Sequence, residues 1–372
     1  MILQNFLISK DFSFTKKHKE VTQVHKDKNL RGSSCNIIIL ITIILAAYNL
    51  NAQNYLSNLH ATKDDPIYTT YAAALSRSEY KVNEAYQFVW FDPEKGLNFE
   101  VSQAGNLSLA FKLNNQTKTK LPQYYKEPII TTSYSDLVKF YYYPYKKIRA
   151  ENYFLVYSSR IAVQEIKITN ESPFDIELSA YPYIFSTPEN KRQYFSDIKR
   201  IKENDGVIFN HQEYPDGWMK DQNIPFQENI TNVLLINSSI DGVGTYNQLE
   251  KQKDTSSTFF FNDNQNLLLT NITSQDSAKV IALQKNMFIP AGQSVTIRII
   301  RGVIESEKDI NELLSECRNL MKADLNKYII EDEELYSLIP QIKFKSKEHE
   351  SLYWNAFNLI RQCMLPPEGK CS

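Results

Sequence analysis

The chain has 372 residues, 42% hydrophobic and 23% charged, enough for two ordinary domains or one large β-sandwich with a helical attachment. Its net charge is −1, and no stripe of Lys and Arg runs along any segment, so nucleic acid is not an expected partner. The 23 Tyr and 20 Phe stand against only 10 Gly, a bias that favours strands and supplies amphipathic rings for a binding surface.

Residues 1–52 read as a leader with a signal peptide. Lys26, Lys28 and Arg31 precede an apolar run from Ile37 to Tyr48, and the segment closes on Leu50, Asn51 and Ala52. That run is shorter than the roughly 20 residues a spanning helix needs. The reading is therefore export to the periplasm or the extracellular space, with no stable membrane span after cleavage; a membrane anchor or a buried helix is the alternative. Removing the segment takes away seven Lys/Arg and three Asp/Glu and leaves a net charge of −5.

From residue 53 to 305 the pattern is a succession of strands. Gly105 to Leu113 alternates, placing Leu107, Leu109, Phe111 and Leu113 on one face. Arg160 to Asn170 and Phe174 to Phe185, joined by Glu171-Ser172-Pro173, read as a long antiparallel hairpin. Val233 to Ile236, Leu267 to Thr270, Ala278 to Gln284 and Ser294 to Val303 add strands, with Pro290-Ala291-Gly292 as the turn before the last. Many strands without intervening helices predict a mainly β fold, a large antiparallel β-sandwich.

The period changes after Glu305. Asp309 to Tyr328 carries Ile310, Leu313, Leu314, Cys317, Leu320, Met321 and Leu325 at helical spacing. Glu331 to Glu334 reads as a solvated linker, so residues 306–346 form a helical linker. A second helix runs from Lys347 to Met364, with Tyr353, Ala356, Phe357, Ile360 and Met364 on its apolar face, and ends at Pro366-Pro367. That stripe needs a facing partner, either the sandwich or further helices of a longer chain, and the second is the expectation.

The cysteines after residue 52 are Cys317, Cys363 and Cys371, whose spacing matches no metal site. Cys363, on the apolar face, reads as a buried free thiol, and a Cys363–Cys371 bridge is the alternative. With His60, His211 and His349 the remaining histidines, neither a metal nor another cofactor is expected.

Sugars present apolar C–H faces and rings of hydroxyls, so their sites pair aromatic rings with acidic or amide acceptors. The turn-rich segment His211-Gln212-Glu213-Tyr214-Pro215-Asp216-Gly217-Trp218 has that composition. Tyr214, Asp216 and Trp218 are the candidate substrate-binding residues, against the simpler reading that Trp218 packs under its own loop. Trp90 follows Phe88 at strand spacing and reads as core. The run Phe140-Tyr141-Tyr142-Tyr143-Pro144-Tyr145 suggests a sugar platform, although alternation on a half-buried strand explains it as well. Trp354 reads as buried.

The order sandwich, helical linker, then Leu352-Tyr353-Trp354-Asn355-Ala356-Phe357-Asn358-Leu359 leading into Met364-Leu365-Pro366-Pro367-Glu368-Gly369 resembles bacterial six-hairpin (α/α)6 glycoside hydrolases. The resemblance is to the glucosidase-like and mannosylglycerate-hydrolase-like groups. It implies a supersandwich like that of galactose mutarotase, with residues 347–372 as the first helix and loop of the barrel. It also implies inverting hydrolysis of an oligo- or polysaccharide by two carboxyl groups about 6.5–9.5 Å apart. In that family both lie on later barrel loops, so no catalytic residue is assigned to this chain. Glu368 joins the candidate substrate-binding set as a loop carboxylate held by the Pro-Pro-Glu-Gly turn. The sandwich would then support the barrel and lend a loop to the substrate site. Two other readings stand beside it. One is a stand-alone carbohydrate-binding or surface-adhesion sandwich; the other is a mutarotase-like enzyme using His211 with Glu213.

Overall fold

The computed structural model describes residues 55–78, 85–93, 96–101, 105–186, 193–213, 230–246, 278–305 and 310–364. Strands of three to twelve residues build two antiparallel sheets. The first runs, in spatial order, β1 (Ser57–Ala61), β7 (Lys126–Ser133), β8 (Leu137–Tyr145), β9 (Ile148–Ser158), β10 (Ile161–Asn170), β17 (Ser294–Glu305), β14 (Ile230–Ile236), β13 (Gly206–Glu213) and β12 (Gln193–Arg200). The second runs β15 (Gly242–Tyr246), β16 (Val280–Ile289), β11 (Ile176–Phe185), β5 (Asn106–Leu113), β4 (Asn98–Glu100), β3 (Ala85–Val89) and β2 (Thr70–Ala72), with β6 (Gln116–Lys118) paired to β5. The fold is the expected mainly β sandwich.

The sheets face each other through an apolar core. Leu107, Leu109 and Phe111 from β5 enter it together with Phe88 of β3 and Trp90 just past that strand, Phe140 of β8, Phe154 of β9 and Ile297 and Ile299 of β17. Rings from the two sheets interlock, with Phe99 stacked on Phe154 at a centroid distance of 3.6 Å and Phe88 tilted against Phe140 at 4.6 Å. Trp90 is core, as its spacing predicts. Turn chemistry is local. Asn114 and Asn115, both at positive φ, close β5 onto β6, a conformation that Asn tolerates better than most residues. Gly292 at φ +71 closes the turn into β17.

Two expectations about the chain path need correction. The segments ending at Asn170 and beginning near Phe174 are not a hairpin, because β10 pairs with β9 and β17 while β11 pairs with β5 and β16 in the other sheet. Residues 171–175 are a corner between sheets. Buried Asn170 organises it, donating to the carbonyl oxygens of Phe174 (2.8 Å) and Ile289 (3.0 Å) and accepting from the Ser172 amide and hydroxyl. The helical stretch from Asp309 to Tyr328 also breaks in two. Helix α1 (Ile310–Leu320) ends where Arg298 donates to the carbonyl oxygens of Leu320 and Ala323, at 2.7 and 2.8 Å. Helix α2 (Asn326–Ser337) then begins, so Glu331 to Glu334 is helical and not a solvated linker.

The outer face of the first sheet is covered by these helices and by α3 (Lys347–Gln362). Leu313, Leu314 and Cys317 of α1 lie on Val233 of β14 and on Ile300 and Ile304 of β17. Gly302 of β17 permits the close approach, since a Cβ there would meet Val233, Cys317 and Leu313 at 2.8, 3.1 and 3.2 Å. Helix α3 is capped by Ser346, whose hydroxyl accepts from the His349 amide, and carries Glu348 and Glu350 in its first turn and Arg361 in its last.

Helix α3 docks by a face that overlaps only part of the expected apolar stripe: Trp354 is buried as expected, and Tyr353 and Phe357 are half-buried beside it. Trp354, Asn355 and Asn358 are buried, while Leu352, Leu359, Ile360 and Met364 are 45–49% exposed. Asn355 accepts from the Tyr68 amide, and Asn358 donates to the Ser133 carbonyl and accepts from the Tyr336 hydroxyl. Gln362 donates to the carbonyl oxygens of Thr70 and Ser135. Cys363, just past the helix, is exposed rather than buried, because the helix turns its docking face elsewhere. Cys317 is the buried thiol, its pKa pushed up to about 12 by burial. No described helix is long and apolar enough to cross a membrane.

Candidate functional site

The candidate substrate-binding residues Tyr214, Asp216, Trp218 and Glu368 lie outside the described residues, as do Leu267 to Thr270 and Cys371. The root of the Tyr214–Trp218 segment is described, at the end of β13. His211 there is 5% exposed, facing the Phe195 ring at 5.8 Å between centroids, and its Nε2 has no hydrogen-bond partner among the described residues. Burial, helped by the nearby Arg301 and Lys279 charges, lowers its pKa to about 4, so the imidazole is neutral at pH 7.

Arg301 sits in the middle of β17 and is fully buried. Its guanidinium reaches the Tyr86 hydroxyl (3.3 Å), the Gly105 carbonyl (3.2 Å) and Asn232 Oδ1 (3.4 Å), and it lies 5.6 Å from the Tyr86 ring centre. It follows Val295, Ile297 and Ile299 at strand spacing, so a cation in phase with the apolar alternation was the sequence signal for this interior polar group. The sequence reading missed it.

The tyrosine strand divides as alternation requires. Phe140 and Tyr142 are buried between the sheets, while Tyr141 and Tyr143 face outward. Arg149 lies over the Tyr141 ring at 4.6 Å and Lys126 over the Tyr143 ring at 4.8 Å. A cation already covers one face of each exposed ring, which disfavours the sugar-platform reading of this strand.

A second polar group, also unforeseen, joins the sandwich to the helices. Asp136, in the turn before β8, binds Arg77 through Oδ2 at 3.0 Å, and Asp332 of α2 binds Arg361 of α3 through Oδ1 at 2.7 Å. Arg77 also binds Glu331, at 2.7 Å, and donates to the Tyr157 carbonyl. Burial is the first cause raising the pKa of both aspartates, with Asp332 pushed well above the carboxylate range. Nearby, Glu333 accepts from the hydroxyls of Tyr134 and Ser57. These residues are scattered from Ser57 to Arg361 with no motif, and only a structure brings them together.

That aspartate pair is no hydrolytic pair. The two carboxyls are within hydrogen-bonding reach and 1% and 2% exposed, whereas inverting hydrolysis needs several ångströms between them for water. A cleft of about 170 Å³ lined by Arg77, Tyr157, Ser158, Ser159, Arg160 and Glu316 is below the roughly 300–1,000 Å³ of small-molecule sites. No cluster of metal-ligating side chains occurs among the described residues.

No protein-family model and no curated protein matches the chain. Solved structures similar to it belong to carbohydrate-active enzymes. A family GH92 inverting mannosidase from Bacteroides thetaiotaomicron is 13% identical, with a TM-score of 0.46, over 86% of this chain and 40% of that one. A family GH92 glycosyl hydrolase is 9% identical, with a TM-score of 0.47, over 83% of this chain and 40% of that one. A heparan sulfate lyase from Pedobacter heparinus is 10% identical, with a TM-score of 0.38, over 68% of this chain and 37% of that one. The chain thus spans about two-fifths of the length of each.

Proposed function

We propose that residues 53–305 are the sandwich of an exported carbohydrate-active enzyme, and that residues 306–372 begin the helical part that the sandwich supports. The substrate class is an oligo- or polysaccharide, the Tyr214–Trp218 segment and Glu368 contribute to its binding, and the catalytic carboxyls are supplied from outside this stretch. One observation carries this reading. Helix α3 is fixed to the sandwich by Trp354, Asn355, Asn358 and Gln362, yet turns Leu352, Leu359, Ile360 and Met364 outward. A helix with apolar residues on more than one side is typical of a position covered on both sides, so α3 suits a place between the sandwich and further helices.

A second reading, a stand-alone carbohydrate-binding sandwich, is favoured by the docking itself, because that reading expects α3 to lie on the sheet. Proteolysis near Glu331 to Glu334 does not separate the two, as Asp332 is buried and Glu331 and Glu333 are tethered to the sandwich. The outward face does. The purified chain is tested for self-association and hydrophobic-dye binding beside a Leu352→Glu/Leu359→Glu variant, and for hydrolysis of aryl-glycosides. The proposal expects dye binding or self-association that the variant abolishes without loss of Tm, and no turnover. A chain that is monomeric and dye-silent supports the binding module, and turnover that survives repurification contradicts both.

A further inference from the structure

The two aspartates at the sandwich–helix contact are each half-satisfied. Asp136 uses Oδ2 for Arg77, and Asp332 uses Oδ1 for Arg361. The remaining oxygens, Asp136 Oδ1 and Asp332 Oδ2, are buried and have no donor among the described residues. Yet the two carboxyl groups are within hydrogen-bonding reach of each other. Two ionised carboxylates cannot hydrogen-bond, because each is an acceptor only. A single proton turns the contact into an O–H···O bond and satisfies both orphaned oxygens at once.

Arg77 faces the pair from the turn at residues 75–77, Arg361 from α3 and Glu331 from α2, while Tyr153 of β9 and Tyr328 and Tyr336 of α2 complete the surroundings. Burial raises the pKa of Tyr153 and Tyr336, so both stay neutral. The two buried aspartates balance the two arginines, and Glu331, half-exposed and bound to Arg77, adds a negative charge at the rim. That charge favours the protonated pair, and the burial of two carboxyl groups in contact favours it further.

We propose that Asp136 and Asp332 hold one proton between them, as an acid–carboxylate pair clamped by Arg77 and Arg361, and that this proton links the docking of α2 and α3 to pH. The proton lies between an element of the sandwich and an element of the helical part, so its loss loads the contact directly. In the window above the unfolded carboxyl value of about 3.9 and below the raised folded value, the native state holds the extra proton. Stability is therefore fully present below the lower limit and is lost as pH rises through the upper one. His211, lowered to about 4, gives the opposite slope below 6.5 and cancels in a difference between two proteins that both contain it.

The test compares the whole chain with Asp332→Asn, whose amide reproduces the protonated acid by donating to Asp136 and accepting from Arg361. Urea unfolding is followed from pH 4 to 9, and the infrared carbonyl stretch of a protonated carboxylic acid is sought at neutral pH. The expected result is a folding equilibrium constant that falls, relative to Asp332→Asn, up to tenfold per pH unit across the window. The infrared band should be present in the wild type and absent from the variant. Asp136→Asn, the mirror replacement, should give the same flattening. A difference between wild type and variant that does not change with pH overturns the proposal, and so does failure of both asparagine variants to fold, since each preserves the hydrogen-bond pattern.

Discussion

The two contact surfaces of the first sheet are built on opposite principles. Its inner face meets the second sheet through stacked phenylalanines and branched aliphatics, with the buried Arg301 among them. Its outer face meets the helices through an apolar patch around Ile300 and Leu313, and then through amides, tyrosine hydroxyls and two aspartate–arginine pairs. Apolar contacts of the first kind are additive and undirected. The second kind fixes one orientation, because each donor must find its acceptor. The sheet interior therefore supplies most of the cohesion, and the outer contact sets where α3 lies.

Breaking each surface once should reveal that difference. Removal of Arg361 by Arg361→Ala strands Asp332 and is expected to cost about 3–5 kcal/mol, but chiefly as a loosening of α2 and α3. Phe99→Ala, of similar expected cost at about 3–5 kcal/mol, should lower the unfolding midpoint of the entire chain. Circular dichroism at helix and sheet wavelengths should split for the first variant and stay coincident for the second. A smaller effect belongs to His211. Its depressed pKa means the unfolded state binds more protons between pH 4 and 6.5, so stability is full above 6.5 and is lost as pH falls. The drop from 6.5 to about 4 corresponds to roughly 3 kcal/mol, at about 1.4 kcal/mol per pH unit. Denaturation of the wild type and His211→Gln across that range should diverge as pH rises. Least affected should be Tyr143→Ala, on the cation-covered outer strand, within about 0.5 kcal/mol of wild type by thermal unfolding.

Legibility in the sequence followed the same division. Alternation located β5, and Phe88 and Trp90 were assignable to the core, because each inward residue there is apolar at period two. The corner at residues 171–175 misled because Ser172-Pro173 signals a reversal without saying which sheet receives the next strand. Helix α3 misled differently. Its docking face mixes Trp354 with the buried amides of Asn355 and Asn358, so the apolar stripe was only half right: Tyr353 and Phe357 pack inward while Ala356, Ile360 and Met364 point outward. Arg77, Asp136, Asp332 and Arg361 were illegible because long-range charge pairing leaves no local period.

The central claim is that the sandwich and the helices to residue 362 behave as one unit, with α3 held by Trp354, by the buried amides of Asn355 and Asn358, and by Gln362. Native-state hydrogen exchange of the whole chain at pH 7 tests it most directly. The account predicts that amides of α3 (Lys347–Gln362) exchange as slowly as those of β8 and β9, and that Arg361→Ala accelerates α2 and α3 alone. Rapid exchange of α3 in the wild type, with β8 and β9 fully protected, would contradict it.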